Sequence, residues 1–177
     1  DCILATGGEL KNAFALQHHH RLYISQYLGN QENLASQKAF THTTGHLLKL
    51  LHTKPSLLLA DKHPGYFVSQ HAAEMSLIEN IPVISIQHHK AHFGAVLAEN
   101  NLLNTPEPVL GVIWDGTGYG DDEQIWGSEF FIYEDGELFN LNSLIGSGTG
   151  WDLRNAVDIN AYGDIVGTGY LNGVVGP

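Results

Sequence analysis

The 177-residue sequence predicts an α/β protein: a mixed sheet flanked by helices, the opening strands of a second lobe, and a β-hairpin tail. Three observations carry that expectation. Short apolar runs alternate with segments of helical spacing over the first hundred residues, as in a sheet covered by helices. A break at Thr105-Pro106-Glu107-Pro108 is followed by a new apolar strand. Composition then changes: eight of the twenty glycines fall between Gly146 and Gly176.

Residues 2–5 (Cys-Ile-Leu-Ala) read as a short buried strand followed by a Thr-Gly-Gly turn. Residues 12–16 and 22–26 continue as two more strands, with His18, His19 and His20 between them. A helix is expected from Asn30, which can cap it, with Leu34, Phe40, Leu47, Leu48 and Leu51 near helical spacing. Gly45 weakens its middle. Pro55 ends it, and residues 57–60 form a strand running into Asp61-Lys62-His63-Pro64-Gly65-Tyr66. Further elements are a helix at 67–78, a strand at 82–87, a helix at 88–100, a strand at 109–115, a glycine-rich loop at 116–122, and strands at 126–133 and 137–141.

An antiparallel meander followed by alternating helices and strands is the order of a ribonuclease-H-like lobe. Its restart resembles the duplicated lobe of the actin-like (ASKHA) superfamily, in which the ligand lies between lobes; such fold analogy says little about function by itself. The domains expected are a first lobe at 1–105, the start of a truncated second lobe at 106–142, and a glycine-rich tail at 143–177. In that tail Asn160 to Gly163 and Asn172-Gly173 are turn signals between short strands. The run Ile159 to Gly167 resembles one unit of the HAF-type extracellular β-repeat, which cannot bury its own apolar face without neighbours. The junction near 142–147 reads as a graft or chimera, or else as a divergent insertion.

Composition narrows the function classes. A formal charge of −11 argues against nucleic-acid binding through a broad basic surface. Residues 1–92 hold seven Lys/Arg, six Asp/Glu and all eleven histidines; residues 93–177 hold one Arg, thirteen Asp/Glu and no histidine. No apolar run approaches the ~18 residues of a membrane span, and no signal peptide precedes the first strand. The abrupt opening inside a strand reads as a piece of something longer. One cysteine, Cys2, excludes an internal disulfide and fits a cytoplasmic location.

Four motifs carry candidate chemistry. In Gln87-His88-His89-Lys90-Ala91-His92, His88 and His92 share one helical face and can hold one divalent ion, or can be ordinary surface or core histidines. A zincin is disfavoured because His89 stands where that motif needs Glu. In the second motif a strand ends at Asp115 and Gly116, Thr117, Gly118, Tyr119 and Gly120 follow, which suits a phosphate-approaching loop with a metal-binding carboxylate, or a hairpin turn. At the first strand of a restarted lobe, Asp115 is placed to meet His88 and His92 on one ion. Third, Thr6-Gly7-Gly8-Glu9-Leu10-Lys11-Asn12 is a tight turn in which Lys11 can meet an anion or simply turn the chain. Fourth, His63 can be catalytic or can help cap the next helix; Lys11 and His63 are the candidate catalytic residues. The run His18 to His20 reads as a solvated loop.

Together, in this order, Gly7 to Asn12, Ser25-Gln26 with Glu32-Asn33, Asp61 to Tyr66, Gln87 to His92, Asp115 to Asp122 and Trp126-Gly127 with Glu129-Phe130 resemble the C-terminal carbamoyl-transfer domain of the HypF family. That family is related to the tRNA threonylcarbamoyl-transfer enzyme TsaD and to antibiotic O-carbamoyltransferases. The resemblance covers about 140 residues. It implies that carbamoyl-adenylate, made upstream from ATP and carbamoyl phosphate, is bound beside an iron or zinc ion. The carbamoyl group then passes to the C-terminal cysteine of HypE, for NiFe-hydrogenase maturation. Family ligands carry over onto His88, His92 and Asp115, with Gly116 to Gly120 facing the nucleotide phosphates.

Departures from the family are Tyr27 to Asn30, where it usually has His-Ile-Gly-Asp, and Lys90, where a third histidine is common. The family's downstream fourth ligand, an aspartate, and its nucleoside-binding region would lie beyond the junction. The fragment is therefore expected to lack full activity. The alternatives are a tRNA-modifying relative, disfavoured by acidity and by the Asp61 and Asp115 motifs, and a non-enzymatic chimeric β-repeat protein.

Overall fold

The computed structural model describes residues 2–160, 162 and 164–176. The chain divides into two compact units, Asp1–His88 and His89–Pro177.

In the first unit, β1 (Cys2–Ala5), β2 (Ala15–His18), β3 (Arg21–Ile24), β4 (Leu57–Asp61) and β5 (Val83–Ile86) form one sheet in the order β3-β2-β1-β4-β5. The first three strands are an antiparallel meander, whereas β1, β4 and β5 run parallel. Helices α1 (Leu34–Leu50) and α2 (Phe67–Glu79) alternate with the parallel strands. This is the mixed α/β architecture expected.

The meander strands are displaced from 12–16 and 22–26, for two local reasons. His19 and His20 take left-handed φ values of 47° and 63°, closing a two-residue turn between paired His18 and Arg21. Asn12 leaves the ladder because its buried amide donates to the carbonyls of Thr6 and Gly8 at 3.0 and 2.7 Å. Those bonds clamp the first turn shut.

Helix α1 starts later than Asn30. Asn33 is the cap, its side-chain oxygen accepting from Ala35 N–H at 2.8 Å. Asn30 instead accepts from Lys11 N–H at 3.0 Å. The sheet and both helices close on Leu4, Phe14, Leu16, Phe40, Leu58 and Val68, all buried, with Phe14 edge-on to Phe40 at 5.7 Å.

Helix α2 has no capping side chain of its own at Tyr66. Glu9, buried in the first turn, lies where the backbone N–H groups of Phe67 and Val68 favour its charged form. Burial nevertheless outweighs those groups and raises the Glu9 carboxyl above its ordinary value.

The second unit contains α3 (His88–Glu99), whose first residue closes the first unit. β6 (Val109–Tyr119), β7 (Ile125–Glu134) and β8 (Glu137–Asn140) form an antiparallel sheet. Helix α3 turns His89, Phe93 and Leu97 inward at four-residue spacing, onto Ile113, Phe131 and Tyr133. Two glycines of β6 make room for it. A Cβ on Gly111 would stand 2.5–2.6 Å from the Phe93 ring, and one on Gly118 would stand 2.7 Å from His89 Cε1.

The expected loop at 116–122 is mostly strand, because β6 continues to Tyr119 and only a tight turn around Asp121 to Glu123 remains. The ladder slips between Trp114↔Ser128 and Gly118↔Trp126. Residues 115–117 therefore face only Gly127, which bulges Asp115 out of register.

The tail holds a short helix α4 (Leu141–Leu144), which the sequence reading did not anticipate, and the strands β9 (Trp151–Ile159), β10 (Ile165–Leu171) and β11 (Val174–Gly176) in an antiparallel meander. Asn172 and Gly173, at φ 51° and 82°, make the two-residue turn read from the sequence. In the turn expected over 160–163, Ala161 and Gly163 lie outside the described residues. Among the described residues no helix is long and apolar enough to cross a membrane.

Candidate metal centre

Helix α3 carries two histidine faces. His88 and His92 are one turn apart on its first turns, and His89 lies about 100° round the helix from His88, as the helical repeat requires. Asp115 comes from the β6 bulge. His92 Nε2 lies 3.3 Å from Asp115 Oδ2. One donor atom from each of His88, His92 and Asp115 lies within 4.8 Å of the other two, so the structure brings these three candidates together. Two imidazoles and one carboxylate suit zinc or iron. An all-oxygen set, as calcium or magnesium prefers, is not what these residues offer.

The donors His88 and Asp115 have hydrogen-bond partners outside the donor group. Asp61, ending β4, places Oδ2 2.6 Å from His88 Nδ1, while its Oδ1 accepts from His63 N–H at 2.8 Å. Asp115 Oδ1 accepts from the N–H of Gly116 at 2.6 Å. His89 is fully buried, with Nδ1 2.5 Å from Glu129 Oε2 and Nε2 3.9 Å from Asp115 Oδ2. Asn140 in turn donates to Glu129 Oε1 at 2.8 Å. A chain of polar groups thus runs from β8 through Glu129 and His89 toward Asp115.

The sequence reading passed over His89 and Asn140 as site residues and read Asp61 and Glu129 only as parts of motifs. The signal for His89 was present. Its spacing with Phe93 and Leu97 marks a core-facing stripe, and a core imidazole needs a hydrogen-bonding partner. Nothing local marks Glu129 or Asn140 as that partner, since the contact spans 40 residues in one case.

The other candidates lie as follows. Lys11 is exposed in the first turn, at φ 50°. The His63 ring stacks on Tyr66 at 4.1 Å, and its Nδ1 accepts from Gly65 N–H at 3.1 Å, tying the ring into the turn before α2. Within residues 116–120, Gly118 is required by His89 and Gly120 by Trp126, whose Cδ1 would lie 2.5 Å from an added Cβ. Gly116 has open space beside it. Lys90 pairs with Asp121 at 2.5 Å.

Comparison with known proteins places this mixed α/β chain among the Kae1-like domains. Residues 1–99 match the family described as the HypF Kae1-like domain. Residues 111–145 match the second subdomain of the carbamoyltransferase Kae1-like domain. The chain belongs to the HypF Kae1-like domain family.

Relatives include carbamoyltransferase HypF2 of Cupriavidus necator, 37% identical over 142 residues, and carbamoyltransferase HypF of Synechocystis, 42% identical over 128 residues. These alignments take in 80% and 72% of this chain but only 17% and 16% of those proteins. The chain therefore spans a small part of the relatives it matches. A full-length HypF solved with phosphate and nucleotide bound superposes with a TM-score of 0.70 at 32% identity, covering 78% of this chain and 21% of that one. HypF of T. kodakarensis gives 0.69 at 36% identity, covering 75% and 17%. YeaZ from Pseudomonas aeruginosa, 14% identical, shares the fold at a TM-score of 0.53, covering 79% of this chain and 64% of its own.

Proposed function

We propose that this chain supplies the metal-binding part of a carbamoyltransferase of NiFe-hydrogenase maturation, which moves carbamoyl from carbamoyl-adenylate to the C-terminal cysteine of HypE. The observation that carries the reading is the coincidence of His88, His92 and Asp115 as one donor group in a chain of the HypF family. In the transfer, the carbonyl carbon exchanges its bond to the phosphate oxygen for one to sulfur; AMP leaves and the thiol gives up its proton. An iron or zinc ion held by these three residues would supply Lewis acidity at the carbamoyl carbonyl.

The chain's own residues have separable tasks in this reading. His92 and Asp115 face one another as donors, and the buried His89–Glu129 pair lies on the core side of Asp115, with His89 Nε2 3.9 Å from Asp115 Oδ2. Lys11 is positioned to meet a phosphate, and His63 to hold or move a proton beside the turn. Gly116, with nothing beside it, is where nucleotide phosphates can approach the backbone, and Thr117 to Gly120 continue that wall. The sheet order of the first unit supports a ribonuclease-H-like lobe of the ASKHA type. The single cysteine supports a reducing, cytoplasmic setting. Both family matches end by residue 145, which supports reading the tail as foreign to the family. A net charge of −11 runs against a tRNA substrate.

The test is bound metal by elemental analysis of the monodisperse chain, beside a His88→Ala/His92→Ala variant. Near-stoichiometric iron or zinc that disappears in the variant is expected. A well-folded wild-type chain that takes up neither metal overturns the reading.

A further inference from the structure

We propose that Asp61 is a positioning residue for His88: its carboxylate captures the proton on Nδ1 and so dedicates Nε2 to metal binding. The inference rests on the metal reading above and adds a residue to it. Asp61 Oδ2 and His88 Nδ1 are 2.6 Å apart, with the Asp61 side chain 6% and the His88 side chain 21% exposed. An ionised carboxylate can only accept hydrogen bonds, so the shared proton belongs to the imidazole. A neutral imidazole protonated at Nδ1 carries its lone pair on Nε2, and a metal bound by His88 is bound there.

Asp61 is itself rigidly placed. It ends β4 in register with Ile86 of β5, and Lys62 N–H donates to Ile86 O at 2.9 Å. The start of α3 follows β5 directly, so the end of one parallel strand is aimed at the histidine just beyond its neighbour. A purely local role would use one oxygen: Oδ1 alone accepts from His63 N–H and closes the turn after β4. The bond from Oδ2 to His88 is surplus to that turn.

The discriminating variant is Asp61→Asn in the full 177-residue chain. The new amide oxygen can keep the His63 N–H, while its NH₂ group turns to His88 Nδ1 and donates, which drives the imidazole proton onto Nε2. Two quantities are read. The first is the ¹⁵N shift pattern of the His88 ring in the metal-free protein above neutral pH, assigned against His88→Gln. The second is zinc affinity, by competition with a chromophoric chelator. Expected are an Nδ1-protonated His88 in wild type, the reversed tautomer in Asp61→Asn, and a zinc affinity lowered about 10–100-fold with an otherwise unchanged amide spectrum. A wild-type His88 protonated on Nε2 overturns the proposal even if the variant fails to fold. Zinc bound equally by wild type and Asp61→Asn overturns the role of Asp61 and leaves the metal reading standing. A wild-type chain that binds no zinc removes the metal reading, and this role with it.

Discussion

Replacing Gly118 by alanine tests how α3 is seated on β6. Gly118 lies in extended strand, where alanine is conformationally welcome, so any cost comes from space. The added methyl would stand 2.7 Å from His89 Cε1 and 2.9 Å from Cδ2, against ordinary contacts of 3.4–4 Å. His89 is fully buried and held by Glu129 at 2.5 Å, so the ring can yield only by stretching that bond or by lifting the helix. Overpacking costs about 1–3 kcal/mol. A weakened buried bond to a charged partner adds part of its ~1.5–3 kcal/mol. We therefore expect Gly118→Ala to destabilise the second unit by about 2–4 kcal/mol. Urea unfolding followed by tryptophan fluorescence is a suitable assay, since Trp114, Trp126 and Trp151 all lie in that unit. Gly116→Ala, with nothing within 4 Å, is the control and should shift stability by less than about 0.5 kcal/mol. In a His89→Ala background the Gly118→Ala penalty should largely vanish, a coupling of about 1–3 kcal/mol. If Gly118→Ala unfolds at the same urea concentration as Gly116→Ala, the account of the His89 seat is wrong.

Three further predictions concern the first unit. Asn33→Ala should cost about 1 kcal/mol by removing the α1 cap, whereas Asn33→Ser should restore most of it; chemical denaturation checks both. The Glu9 carboxyl is raised from 4.5 in the folded state by burial, so its favourable contribution is complete below that value and is lost as pH rises through the folded pKa. Glu9→Gln should flatten this part of the stability–pH curve and be at least as stable as wild type at neutral pH; a destabilised variant there would refute the claim that burial outweighs the Phe67 and Val68 N–H groups. His71, packed against Phe40 and Phe67 at 5.6 Å from each, is held below 6.5 by burial. Its contribution is present above 6.5 and lost as pH falls toward the folded pKa, so His71→Phe should remove an acid-side decline in melting temperature.

Elements were legible in the sequence wherever one physical signal dominated. Apolar runs at 2–5, 57–60 and 82–87 located parallel strands to within a residue or two because each is a short continuous apolar run bounded by turn, proline or polar residues. The meander strands were misplaced because their boundaries depend on side-chain bonds by Asn12 and on left-handed histidines at the turn, neither of which periodicity encodes. Asn30 and Asn33 are equally good caps by composition, and only Lys11, 19 residues earlier, decides which of them is spent elsewhere. In the site, His88, His92 and Asp115 could be picked from spacing and strand position. Asp61, His89, Glu129 and Asn140 act across distances at which a single sequence carries no pairing information. The glycines between 116 and 120 suggested an open loop, but two of them are bare because neighbouring rings occupy the place of a Cβ.

His88 and His89 are chemically identical neighbours that the pitch of one helix sends to opposite fates. A saturation scan across them should give mirrored tolerance. At position 88 many residues should preserve folding while few preserve ligand uptake. At position 89 few should preserve folding at all, because the space and the buried carboxylate beside it are cut to an imidazole. The same logic makes the stretch intolerant of length changes. One residue inserted ahead of Phe93 would rotate the helix start by about 100°, sending a solvent-side imidazole toward the core and a core imidazole outward. Selection on folding and selection on chemistry therefore act on adjacent codons through different phenotypes, and only the phase of α3 keeps the two apart.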